Sequence, residues 1–177
     1  MRGMPRLLPR SMPLLAALAA WVAHAQTSPC DDVAYARDMK VRYPQAVNAI
    51  AADEAARRTA WNGRADAISA QLVAARAVTP EAQSGFRLAQ WRRPDVAALD
   101  AQIAAAETDF RERTIALQAA PAIARLDPLR PERAACLLQA SALQVLQHKL
   151  DLENEQWALV DRALLDEAVR LGLRLGP

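Results

Sequence analysis

ERAACLLQASALQVLQHKLDLENEQWALVDRALLDEAVRL, residues 132–171, decides the fold. The stretch has no proline or glycine and is built from residues that lose little freedom in a helix. Its apolar residues repeat with a helical period: Leu143, Leu150, Trp157, Leu164 and Leu171 recur every seven residues, as do Leu138, Val145, Leu152 and Leu159. Two seams on different flanks of one helix predict contact with more than one neighbour. Gln144, His148, Asp151, Asn154, Glu155, Arg162 and Asp166 fall on the remaining face and are expected in solvent. Gly172 and Gly176 close the segment.

Upstream, Leu126-Asp127-Pro128-Leu129-Arg130-Pro131 reads as a loop. Before it, Val96, Leu99, Ile103, Ala106, Phe110, Arg113 and Leu117 share one helical face between a break at Pro94-Asp95 and an end at Pro121. Thr79-Pro80-Glu81 reads as a helix start, with threonine as cap and proline in the first turn, leading through Phe86 and Trp91 to about Arg93. The first helical segment runs from about Asp31 to Val78 along Ala36, Met39, Tyr43, Val47, Ile50, Trp61, Ala65, Ile68 and Leu72. Pro44 is expected to kink or divide it, and Gly63 is a second weak point. Strand signatures are lacking. The expected fold is all-α: an elongated up-down-up bundle of three long helices, kinked or divided at the prolines.

Cys30 precedes the first segment and Cys136 lies in the first turn of the last. Neither sits in a CxxC or a metal-type spacing, so a disulfide is the expected use of the pair in an oxidising compartment. First and third helices of such a bundle start at the same end, as the bond requires.

That compartment is indicated by the first 25 residues. Arg2, Arg6 and Arg10 precede an apolar stretch from Met12 to Val22, and Ala23-His24-Ala25 supplies small residues for cleavage. This reads as a signal peptide, 1–25, followed by a single domain, 26–177, that is periplasmic or secreted. The apolar stretch is shorter than the ~20 residues a membrane-spanning helix needs, so the protein is expected not to span a membrane. The leader holds three of the 22 basic residues and none of the 20 acidic ones, leaving 19 against 20, a formal charge of −1. That balance argues against a nucleic acid partner, which requires a basic stripe.

Candidate chemistry is sparse. His148, Asp151 and Glu155 share a helical face at offsets of three and seven, but the same residues decorate the expected solvent face, and no HExxH is present. GxSxG is missing and the five glycines are not clustered into a phosphate loop. No enzyme, cofactor or metal is expected. Val78-Thr79-Pro80-Glu81-Ala82-Gln83 resembles the LTxxQ signature of small periplasmic stress chaperones over six residues, with valine for leucine and the glutamine one position late. The same residues make an ordinary helix start.

Two further expectations concern charge and aromatics. Glu54, Arg57 and Arg58 interrupt the first apolar stripe and Glu153 interrupts the last, so Arg57 or Arg58 is expected to pair with Glu153 across the helices. At ~1.5 Å of rise per residue, Trp61, Trp91 and Trp157 fall at one level, roughly 35–45 Å from the cysteine end. They form either a core layer or an exposed patch. With the neighbouring arginines, Trp91, Arg92, Arg93, Trp61 and Arg58 are the candidate partner-binding residues. The expected function is a non-enzymatic exported protein that binds another protein in the periplasm: a chaperone-like holder, an inhibitor or immunity factor, or an envelope-assembly accessory. The alternatives are a structural or homo-oligomeric spacer in a secretion or envelope machine, and a bundle that binds a small ligand or metal.

Overall fold

In the computed structural model the described residues are 28–173, so the expected leader, its cleavage site and Gly176 lie outside them. Among the described residues the chain is all-helical, without strands. A one-turn 3-10 helix, Pro29–Asp31, precedes five α-helices: α1 Val33–Ala74, α2 Gln83–Trp91, α3 Pro94–Gln118, α4 Ala120–Leu126 and α5 Pro131–Arg170.

The helix boundaries follow from local chemistry. Asp32 caps α1, its carboxylate accepting from the Ala34 N–H at 2.7 Å. Thr79 caps a turn instead of a helix: Ala82 N–H donates to the Thr79 hydroxyl and carbonyl, and regular helix begins only at Gln83. Arg93 is extended (φ −63°, ψ 140°) ahead of Pro94, as a residue before proline prefers. Pro121 has no N–H to give the Leu117 carbonyl, and the chain breaks at Ala119 (φ −100°, ψ 92°). The middle segment is therefore divided at Pro94, one of the two outcomes expected there, and continues past its expected end as a short third helix.

Pro44 behaves differently. It neither divides nor ends α1, which is continuous over 42 residues with Pro44 inside it. The hydrogen bond to the Lys40 carbonyl is lost, but Pro44 is exposed, so solvent can satisfy the freed oxygen at small cost. Gly63 also lies inside α1, exposed, and a Cβ added there would meet nothing within 4 Å. Gly63→Ala is accordingly expected to stabilise the protein by about 0.5–1 kcal/mol, read as a higher urea midpoint at unchanged slope.

Packing centres on α5. Asp31 meets Arg133 at 2.6 Å, Glu54 meets Lys149 at 3.4 Å and Arg64 meets Asp161 at 3.7 Å, so α1 runs parallel to α5. α3 runs the other way. Gln156 donates to the Val96 carbonyl near the start of α3, whereas Thr114 and Leu117 near its end lie beside Glu132 and Gln139. The two seams of the last segment thus serve two different neighbours. The backbones of those neighbours stand apart: no residue of α1 comes within 8 Å, Cα to Cα, of any residue of α3.

The core is correspondingly divided. Trp61, Ala65, Ile68 and Leu72 pack with Trp157, Val160, Leu164, Ala168 and Val96 towards the C-terminal ends of α1 and α5. Leu99 and Ala106 pack with Leu152 between α3 and α5. At the opposite end Cys30 and Cys136, with Cα atoms 5.7 Å apart and sulfurs bonded, pack with Ala36 and Met39. There Arg133 also donates to the Asp31 carboxylate and holds it below the usual carboxylate range, and Arg130 donates to the Asp31 carbonyl at 2.8 Å. Between Met39 and Trp61 α1 has no buried residue.

Candidate functional site

Because the backbones of α1 and α3 stay more than 8 Å apart along α5, a cleft runs between them with α5 as its floor, bridged at the Val96 end by the shared core. Its two ends differ in chemistry.

One end is built on tryptophan. Trp61 comes from α1, Trp157 from α5, and Trp91 is the last residue of α2, held there by the Pro94 break. Trp61 and Trp91 meet edge to face with ring centroids 5.3 Å apart, the arrangement the indole charge distribution favours. Trp61 and Trp157 are buried, at 4% and 9% exposure, while Trp91 is half-buried against them. Of the two arrangements expected for this level the structure has the core layer: two indoles are buried and the third packs half-buried against them. All three line a cavity of about 290 Å³, together with Arg58, Asp100, Glu153 and Gln156.

Of the candidate partner-binding residues, the structure brings Arg58, Trp61 and Trp91 to this cavity. Arg92 and Arg93 are exposed and outside it. Arg93 is engaged locally, donating to both Asp95 carboxylate oxygens at 3.2 and 2.9 Å, and it holds that carboxyl below its usual range. Asp100 and Gln156 were not singled out by sequence. Gln156 is buried and donates to the Asp100 carboxylate at 2.5 Å as well as to Val96.

The charge pairing departs from expectation. Arg57 bonds Asp53 and Arg58 bonds Glu54, each one turn away on its own exposed face, and neither reaches Glu153. Lys149 takes that role. Its ammonium donates to Glu153 at 2.7 Å along α5 and to Glu54 at 3.4 Å across to α1. The reason is position: Lys149 is one turn before Glu153 on the buried side of α5, whereas Arg57 is held by Asp53 and Arg58, at the cavity edge, is held by Glu54. Burial alone lowers the Lys149 pKa, but Glu153 and then Glu54 outweigh it and raise it above the usual lysine value. Glu153 is only 7% exposed. Its Oε1 takes the Lys149 bond and its Oε2 has no hydrogen-bond partner, and the same is true of the buried Trp61 Nε1–H.

The other end of the cleft is wider and more apolar, about 660 Å³ between Ala36, Lys40 and Tyr43 of α1, Leu117 of α3, Ile123 of α4 and Ala135 of α5. Here too a polar atom is buried without a partner, the Tyr43 hydroxyl.

His148, Asp151 and Glu155 are exposed on α5, and Asp151 accepts from Gln147 at 3.1 Å. Among the described residues no group of three or more His, Cys, Asp or Glu is placed to hold a metal ion. Both cysteines are consumed by the disulfide, so neither is a thiol nucleophile. No helix among the described residues is long and apolar enough to cross a membrane. No protein-family model matches the chain, and no curated protein or solved structure does.

Proposed function

We propose that this chain is an exported, non-enzymatic helical protein that binds another protein of the periplasm or envelope in the cleft between α1 and α3. One observation carries the reading: the two walls lie on α5 with their backbones more than 8 Å apart, and a half-buried tryptophan edge closes one end of the gap. A stable helical domain ordinarily closes such a seam with side chains from both walls. An open seam with an aromatic rim has the composition of interaction hot spots. On this reading the chain is an up-down-up frame of three rods, in which α2 and α4 are the bent ends of the middle one. The partner supplies the packing that α1 and α3 do not give each other.

Export rests on the leader at 1–25, and the disulfide supports it, because such bonds persist in oxidising compartments. The N-terminus of the protein recovered from the envelope fraction is expected to be Gln26. Recovery of the chain from the cytosol still starting at Met1 would contradict export.

For binding, Trp91→Ala is the informative change, since Trp91 is the half-buried member of the aromatic set. Partner capture from periplasmic extract by the mature protein is expected to fall about tenfold or more, with the variant still melting cooperatively as a helical protein. Undiminished capture would remove the tryptophan end from the binding site.

A further inference from the structure

We infer that the tryptophan end of the cleft receives a cation, the ammonium or guanidinium of a lysine or arginine side chain presented by the partner. The inference rests on the protein-binding reading above and specifies what that partner must offer.

Three indoles contribute to one cavity. Their faces carry negative charge density and attract a cation that approaches within about 6 Å. The unpartnered Trp61 N–H lies in the ring plane, at the edge, and does not compete with the face.

The charged lining points the same way. Asp100 and Glu153 contribute two carboxylates to the lining against the single basic side chain of Arg58, with the Lys149 ammonium just outside it on the other Glu153 oxygen. Arg58 is itself committed, bonding Glu54 at 2.7 Å with 56% of its side chain in solvent. Glu153 is more than nine-tenths buried, and its Oε2 retains an unused acceptor site. That oxygen is screened from water, so the part of its charge that Lys149 leaves uncompensated acts on a cation in the cavity through a low dielectric.

Other occupants fare worse. An anion would be repelled by both carboxylates. An apolar anchor would desolvate Asp100 and deepen the burial of Glu153 with nothing in return. A lysine or arginine places its apolar stem against the indoles and its charge beside the carboxylates.

The test uses the folded mature protein and three small probes of similar shape: the N-acetyl methylamides of lysine, arginine and the neutral norleucine, titrated against tryptophan fluorescence at fixed ionic strength. Saturable responses are expected with the lysine and arginine probes, at least about tenfold tighter than with norleucine. Asp100→Asn, at the exposed rim, is expected to weaken the cationic probes about threefold to tenfold and leave norleucine unchanged. Glu153→Gln is expected to do the same in protein whose helical melt remains cooperative. Equal binding of norleucine, or no saturable response to either cationic probe by folded wild-type protein, would overturn the inference. So would tetramethylammonium binding without any response to the lysine and arginine probes, which would reassign the site to a free quaternary amine. No partner is needed in these titrations. Failed partner capture with intact probe binding would therefore count against the protein-binding reading alone.

Discussion

Replacing Cys30 and Cys136 together by alanine is expected to cost up to about 4–5 kcal/mol, the largest effect of any small change to this chain. The bond joins residues 106 apart, and the entropy that a cross-link removes from the unfolded chain grows with the logarithm of the loop it closes. The folded side loses as well. The two cysteines are half of their buried patch, and Ala36 and Met39 alone cannot rebuild it. With no buried residue on α1 between Met39 and Trp61, the N-terminal half of α1 has little else to hold it on α5. Urea unfolding should show the midpoint falling sharply. Reductant should carry the wild-type protein towards the variant's curve and leave the variant unmoved. A variant as stable as the oxidised wild type would mean that the ion pairs of Asp31 with Arg133 and of Glu54 with Lys149 suffice to hold this end.

Lys149→Met is expected to cost about 3–5 kcal/mol at neutral pH, because it leaves the buried Glu153 carboxylate without its counter-charge. Adding Glu153→Leu to the same chain should recover most of the stability, since an apolar pair of similar volume has no charge to desolvate. The alkaline limb has a definite sign. The folded-state pKa of Lys149 is raised above its ordinary value of 10.5, so its contribution is complete below that pH and is lost as the pH rises through the folded value. Wild-type melting temperature should therefore fall more steeply above about pH 10.5 than that of Lys149→Met/Glu153→Leu. Parallel alkaline limbs, or a Lys149→Met loss under about 1 kcal/mol, would show the group to be effectively solvated.

Much of this was legible in the sequence where the message is local and periodic. The two seams of residues 132–171 correctly announced a helix with two neighbours, because helical period fixes which side chains share a face. The cysteine pairing followed from two helices that start at one end, and the common level of Trp61, Trp91 and Trp157 from counting rise per residue. The same counting misassigned the partner of Glu153. Height along a helix does not say which side chain turns inward, and Lys149, four residues before Glu153, had a local claim that was passed over in favour of the arginines. Proline was ambiguous for a related reason. Pro44 is tolerated because the carbonyl it orphans faces water, whereas Pro121 coincides with a break in the chain, and that difference is set by surroundings. The cleft was not legible at all. Periodicity shows that α1 and α3 each have an apolar face, but not that both faces are spent on α5.

The most direct test of the central claim is site-specific photo-crosslinking in the native periplasm. A benzophenone side chain would be placed at Thr114 or Arg58, which line the cleft, and at Gln144 or Glu155, which are exposed on α5 outside it. The cleft positions are expected to give the same discrete adduct with one other protein, and the outer positions none. Adducts of equal yield from all four positions, or adducts between two copies of this chain alone, would contradict it.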